Sequence, residues 1–322
     1  MSGRLWVALV ALAAALFALS LATPWRQLAE LHGSDPALAD AVLLQLRLPR
    51  ALLALFYGVA LGGSGAAIQA LFANPLASPD LTGTTSGAAL GAVLAGYIFG
   101  FSGALGLSAG AVLGALGALL LLLALAGRRA EGATLLLAGL AMTALAGALT
   151  TVALALAPSP FAFYDAYEWL MGSLVDRSLA QAAFAGVPAL LALLLLARLA
   201  PALDSLALGE EAAESFGYNL ARLRVAVVCL SAIGVGACVA VCGAIGFIGL
   251  VAPIFARRLT RGHPGRALLP AALIGGSLLT AADLATRLAP IGRSLPIGVV
   301  TALLGAPFFL ALVVRMRWSL AR

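Results

Sequence analysis

The ionisable side chains of this 322-residue sequence are few, and their spacing limits the chemistry open to it. Four of the thirteen carboxylates, Asp204, Glu210, Glu211 and Glu214, fall in the segment Pro201 to Leu220, PALDSLALGEEAAESFGYNL. It is the one long polar interruption in the second half of the chain. With Leu206, Leu208, Ala212, Ala213 and Phe216 interleaved, these carboxylates can edge an apolar face, the usual make-up of a protein contact. The plainer reading is a solvated linker. Asp283 and Arg287 stand four apart in an apolar run, the spacing of an intrahelical ion pair. Ionisable groups inside a membrane span point to function by default, although mutual neutralisation near a helix end accounts for this pair.

No catalytic set assembles from the remaining reactive residues. The two histidines, His32 and His263, lie in polar stretches, and His263 in RGHPGR reads as a turn residue. Cys229, Cys238 and Cys242 share one apolar run, with Cys238 and Cys242 on one helical face. They lack neighbouring histidine or carboxylate partners for a metal and read as small packing residues. There is no HExxH, no paired aspartate and no GxxxxGK[ST] phosphate loop. The expectation is a chain without catalytic residues, metal ligands or a cofactor of its own.

These residues must be positioned by membrane helices. The composition is 63 % hydrophobic and 10 % charged, with mean hydropathy +1.08, whereas soluble domains carry about 25 % charged residues. Long unbroken apolar runs exclude an outer-membrane barrel, whose strands alternate. Thirty-six glycines suit helices that meet through small-residue faces. At about 20 residues per span, helices are predicted near 5 to 22, 50 to 72, 83 to 100, 104 to 126, 134 to 157, 180 to 200, 223 to 242, 244 to 259, 267 to 288 and 296 to 314. The apolar run from Arg222 to Arg258 must break near Cys242, Gly243 and Gly246, leaving one short helix. The whole of 1–322 reads as a single transmembrane domain, and the first apolar segment as a retained helix rather than a cleaved signal.

Every cation is arginine, and the net charge of +6 reads as topology, not as nucleic-acid binding. With the amino terminus inside, thirteen arginines face the cytoplasm and six the exterior, in keeping with the positive-inside rule. Both termini and the segment 201–221 are then cytoplasmic. Between the second and third predicted helices, Asn74-Pro75 and Ser78-Pro79 stop the chain, and Gly83 and Gly87 allow a close approach at the next helix. Irregular backbone at membrane depth is tolerated where it lines a protein-covered cavity. Asn74, Pro75, Gly83 and Ser86, with Thr134 at the start of the fifth predicted helix, are therefore pathway or gate candidates; an ordinary turn is the alternative. Arginines at outer helix ends, Arg47 and Arg50 around Pro49 and Arg293 before the last helix, read on their own as headgroup anchors.

Six ordered motifs, LRLPRALLALFYGVALGGSGAAIQALFANPLASPDLTG, YEWLMGSL, LALGEEAAESFG, GAIGFIGLVAP, LLPAALIGGSLLTAADLATR and LPIGVVTALLGAPFFLALV, together resemble the FecCD-type permeases from about Leu46 to Val314. The resemblance implies an all-α, ten-helix subunit of the cobalamin-importer type with an inverted repeat of helices two to five on seven to ten. It implies an ABC importer of the bacterial inner membrane, with ferric siderophores the commonest cargo and heme or cobalamin the alternatives. Expected partners are a cytoplasmic ATPase dimer that binds the ATP, a periplasmic or lipid-anchored substrate-binding protein, a second permease, either another copy or a similar sister subunit, and membrane lipid. It further implies that Leu206, Leu208, Gly209, Glu210, Glu211, Glu214, Phe216 and Gly217 couple to the ATPase. Arg47, Arg50 and Arg293 would meet the binding protein. A short helix from about Tyr164 would sit at the outer mouth, amid an aromatic cluster that otherwise reads as an interfacial belt. One departure is Pro253-Ile254, where similar permeases carry Pro-His. An ion-coupled secondary carrier, the competing class, would need buried mid-span carboxylates that the apolar segments hardly supply.

Overall fold

The computed structural model describes residues 3–101, 104–126, 132–288 and 295–320, and their regular structure is helical throughout. In chain order the helices are α1 (Gly3–Ala22), α2 (Trp25–Ser34), α3 (Pro36–Ala41), α4 (Leu48–Leu71), α5 (Thr84–Tyr97), α6 (Ala104–Ala126), α7 (Gly132–Ala155), α8 (Pro160–Leu170), α9 (Leu179–Arg198), α10 (Ala200–Ser205), α11 (Glu210–Ser215), α12 (Leu220–Cys242), α13 (Ile248–Leu259), α14 (Leu268–Leu288) and α15 (Ile297–Leu320). Among the described residues, ten reach twelve residues or more, at the ten predicted places. Among the described residues, seven segments are long and apolar enough to cross a bilayer, beginning in α1, α3, α6, α7, α9, α12 and α14. We call the end that carries α10 and α11 the lower end and the other the upper end.

The second span starts earlier than its apolar run. A single helical path runs from Pro36 to Leu71, with a π-helical stretch at Val42–Arg47 joining α3 to α4. Pro49 has no amide proton and its ring crowds the carbonyl four residues back; the wider π turn just before it relieves that crowding. Residues 25–47, expected as an outer loop, are thus mostly helical. Asp35 caps α3 by accepting the Leu38 amide at 3.1 Å.

α4 is the axis of the fold and is buried along nearly its whole length. Its small residues let other backbones come to it. A Cβ on Gly58 would strike the Gly275 carbonyl, one on Gly62 the Ala271 carbonyl and one on Gly65 the Gly249 carbonyl. Lipid gives helices no hydrophobic reason to associate, so close packing of this kind must hold α4 against α14 and α13. Two buried clusters follow from it. The upper one gathers Leu53, Tyr57, Leu61, Trp169, Cys238, Cys242 and Ile245; the lower one gathers Ile68, Leu71, Leu196, Leu203, Val227 and Leu268. The cysteines pack as the sequence suggests, Cys238 directing its thiol at the Ala185 carbonyl 3.8 Å away.

The packing repeats when α4–α7 are exchanged for α12–α15. α4 lies on α14 as α12 lies on α6, α5 on α6 as α13 on α14, α4 on α13 as α12 on α5, and α5 on α7 as α13 on α15. α4 runs downwards and α12 upwards, so the relation is an inverted one. At 14 and 12 residues, α5 and α13 are the short members of their halves, and each follows irregular chain. The break before α5 is at the lower end and that before α13 at the upper end.

Candidate functional site

Three regions gather the polar and strained features: a tip at the lower end, the two breaks, and an arginine network at the upper end. The tip joins α9 to α12. Pro201 sits in the first turn of α10, where its missing amide proton costs nothing. Leu206–Leu208 form a 3₁₀ turn, and Gly209 at φ 104° provides the sharp corner before α11. Gly217 at φ 87° ends α11, and the Asn219 side chain caps α12 by accepting the Arg222 amide at 2.9 Å. The apolar residues divide. Ala213 is buried and Leu206 packs on the lower cluster, while Leu208 and Phe216 are 70 % and 62 % exposed. Glu211 and Glu214 are exposed beside them, and Glu210 pairs with Arg224 at 2.5 Å. The result is a folded knuckle with two apolar side chains and a carboxylate rim pointing away from the bundle.

At the lower break, Asn74 builds the turn itself: its side-chain oxygen accepts the Leu76 amide at 2.9 Å. A 3₁₀ turn, Pro79–Thr82, then leads through Gly83 at φ 74° into α5. This turn leans on α7. Thr143 donates its hydroxyl to the Asp80 carbonyl at 3.2 Å, and a Cβ on Gly139 would strike the Leu81 carbonyl. Burial pushes the Asp80 carboxyl above the usual carboxylate range, against the opposing pull of the neighbouring Thr85 hydroxyl.

The upper break, residues 243–247, leans on α15 and on the chain after α8. Gly298 of α15 has no room for a Cβ beside the Met171 carbonyl, and Gly305 none beside the Phe247 ring. Ser173 donates its amide to the Cys242 carbonyl at 2.8 Å. Phe247 holds φ 67°, a conformation a bulky residue adopts only under constraint. From α4, the Tyr57 hydroxyl donates to the Gly243 carbonyl and accepts the Ile245 amide, at 3.0 and 3.2 Å. Backbone groups that lost their helical partners at the break are thereby satisfied inside the buried upper cluster.

At the upper end, Asp283 is buried and receives two guanidinium groups, Arg50 from α4 at 2.8 Å and Arg287 from its own helix at 2.5 Å. Arg50 also donates to the Thr286 hydroxyl at 3.3 Å, and Arg287 to the Ser20 carbonyl at 2.8 Å. Arg47, 8 % exposed, donates to the carbonyls of Leu21, Ala22 and Pro24 at 3.0, 3.0 and 3.1 Å. Two arginines thus satisfy the last carbonyls of α1, where a positive group also suits the helix dipole. Arg50 borders a small cleft with Glu168, Ser173, Thr286 and Pro296.

The FecCD transport family model matches residues 7–315. The chain belongs to the FecCD transport family. It is similar to the Fe(3+)-citrate import system permease protein YfmE of Bacillus subtilis, 38 % identical over 276 residues, covering 85 % of this chain and 82 % of that one. It is 40 % identical over 292 residues to the vitamin B12 import system permease protein BtuC of Vibrio cholerae, covering 87 % and 84 %. A solved chain described as an inward-facing conformation of a metal-chelate type ABC transporter superposes with a TM-score of 0.86 at 32 % identity, covering 98 % of this chain and all of that one.

Several predicted site residues of this FecCD chain come together and several do not. The 206–217 residues form one knuckle, but Leu206 and Ala213 serve its attachment, and its large exposed apolar side chains are Leu208 and Phe216. Asn74, Pro75 and Gly83 build the lower break, whereas Ser86 is half-buried on α5 and Thr134 is exposed near the start of α7. It is Gly139, Met142 and Thr143 that bring α7 to the break. Arg47 is not on the rim: it fastens α1. Arg50 is 22 % exposed and ion-paired, and Arg293 lies outside the described residues. The Asp283–Arg287 pair is present as expected, with Arg50 as an unforeseen third member. Ile254 is half-buried in α13, and the adjacent Phe255 packs on Phe308 of α15 with ring centroids 5.6 Å apart. The aromatic helix is α8, capped by Ser159, with Phe161 and Tyr164 outward at 81 % and 67 % exposure and Trp169 turned into the core. Tyr57 was missed, although a lone phenol amid an apolar span requires a buried partner and so signals one.

Proposed function

We propose that this chain is the membrane subunit of a binding-protein-dependent ABC importer that carries a ferric siderophore or related iron chelate across the inner membrane. Heme and cobalamin are the alternative cargoes; of these, cobalamin is named for a similar permease, as ferric citrate is for another. The observation that carries the reading is the lower knuckle. Leu208 and Phe216 are exposed on a folded corner whose backbone is fixed by Gly209, Gly217 and the Asn219 cap, with Glu211 and Glu214 alongside. Such a surface suits an apolar groove with a basic rim on an ATPase subunit, which would hold the ATP. The knuckle then lies in the cytoplasm, with both termini.

The two breaks supply the pathway logic. In transporters built from inverted repeats, interrupted helices at matching positions mark the substrate route. Here one interruption faces each side of the membrane, and each rests on the last helix of its half, α7 or α15. Closing one while opening the other is what alternating access requires, and nucleotide binding would drive it through differential affinity for the two states. A second copy would complete the pathway along α7, whose Ala, Leu, Thr and Gly surface offers a bulky chelate a smooth wall. On the outer face, Arg50 and Arg293 remain the candidates for carboxylates of a binding protein; Arg47 would act by holding α1 in place.

The test is uptake into proteoliposomes with the cognate ATPase and binding protein, compared across ferric siderophores, heme and cobalamin. ATP-dependent uptake of a ferric siderophore is the expected result. Transport that proceeds without ATP, or that follows a proton or sodium gradient, would favour the secondary carrier and overturn the reading.

A further inference from the structure

The knuckle is fastened to α14 as well as to the two helices it joins in sequence. Asp204, on α10, accepts the Gly265 amide at 2.7 Å, and its other oxygen stands 3.9 Å from the Arg266 guanidinium. Gly265 makes the approach possible, since a Cβ there would strike the Ala200 carbonyl. The turn that offers this amide is itself held, with the Thr260 hydroxyl within 3.1, 3.3 and 3.2 Å of the Ala256, Arg257 and His263 carbonyls. Three residues beyond Gly265 α14 begins, and it rises 21 residues through the bundle. Along the way it lies backbone to backbone on α4, and near its top Asp283 grips Arg50 of α4. A displacement of α10 therefore has a stiff route to the upper end that does not pass through α9 or α12.

We infer that Asp204 is the positioning residue that engages α14, and with it α4, in the stroke delivered to the knuckle, so that partner-driven motion at the lower end moves the central helix pair. The inference rests on the reading of the knuckle as the ATPase contact. It deepens that reading by naming the element that receives the motion. The carboxylate suits the task because a charge-assisted bond to a backbone amide is short and strong, and because Asp204 itself touches neither break.

The experiment compares the assembled transporter carrying wild-type chain, Asp204→Ala, Asp204→Asn and Gly265→Ala in proteoliposomes. It measures ATPase recovered with the permease, ATP hydrolysed, and chelate taken up per ATP hydrolysed. Asp204→Ala is expected to assemble and hydrolyse ATP while uptake per ATP falls about tenfold, the factor that losing one charged hydrogen bond corresponds to. Asp204→Asn keeps an oxygen for the Gly265 amide and is expected to stay within about threefold of wild type. Gly265→Ala, which pushes Ala200 away while leaving Asp204 intact, is expected to behave like Asp204→Ala and serves in its place if that variant does not fold. Unchanged uptake per ATP in either alanine variant would overturn the inference while leaving the ATPase contact standing. A wild-type chain that recovers no ATPase would overturn the contact itself, and the inference with it.

Discussion

The Tyr57 hydroxyl donates to the Gly243 carbonyl at 3.0 Å, so a phenol of α4 closes the gap where α12 stops and α13 has not yet begun. The same oxygen accepts the Ile245 amide, and Tyr57 is fully buried. Replacing it with phenylalanine keeps the packing but strands two buried backbone groups, at a cost of about 1–3 kcal/mol for each one left without a partner. Tyr57→Phe should lower the melting temperature of the detergent-solubilised protein and depress uptake more than ATPase recovery. An unchanged melting temperature would show that the break is held by other means.

Asp283 supports a graded prediction. Removing it leaves Arg50 and Arg287 facing each other without their counter-charge, and breaking a buried ion pair from one side costs about 3–5 kcal/mol. Removing Arg50 leaves Asp283 paired with Arg287, and the vacated site at the cleft is partly open to water. Asp283→Ala should therefore lose most of its folded, monodisperse yield on size-exclusion chromatography, while Arg50→Ala retains most of it. If the two variants are equally stable, the three groups do not form one network.

How much of this was legible depends on the range of the interaction. All ten predicted helices begin within four residues of their structural counterparts, the second counted from α4, because runs of about 20 apolar residues need no tertiary information. The short α13 was readable for the same local reason, since Gly243 and Gly246 interrupt a run too long for one helix. Residues 25–47 were lost because Arg26, Glu30, His32, Asp35 and Asp40 make the stretch look like a loop. Its helical signals, Asp35-Pro36 above all, are local but weak. The Arg50–Asp283 bond joins residues 233 apart and leaves no trace in a single sequence. Arg47 shows the same limit: an arginine at a helix end looks alike whether it faces lipid headgroups or turns inward onto the α1 carbonyls.

The glycines divide into those that hold the helices together and those that do not, and substitution by alanine separates them. At Gly58, Gly62 and Gly275 the new methyl would meet a facing backbone carbonyl that cannot turn aside. Each should destabilise by about 1–3 kcal/mol, the usual penalty of overpacking. Gly117 and Gly147 have nothing within 4 Å of the same position. There alanine should be neutral or raise stability by up to about 1 kcal/mol through helix propensity. Melting curves of the five single variants decide the matter, and a loss at Gly117 comparable to that at Gly62 would contradict the packing argument.

The knuckle supports a prediction that separates its apolar and charged parts. Leu208 and Phe216 are largely exposed, so changing them to serine removes little that holds the permease together. If a partner covers them, however, each buries about 1.5–3 kcal/mol of apolar surface on association. Leu208→Ser with Phe216→Ser should leave the isolated permease as stable as wild type and weaken its association with the ATPase by about 100-fold or more. Charge reversal at Glu211 and Glu214 should instead slow association and make it less sensitive to salt, with a smaller change in dissociation, as expected of charges at the rim of a contact. Association measured by surface-immobilised permease at two salt concentrations reads both effects. Wild-type affinity in the double serine variant would mean that the ATPase does not bind at this corner.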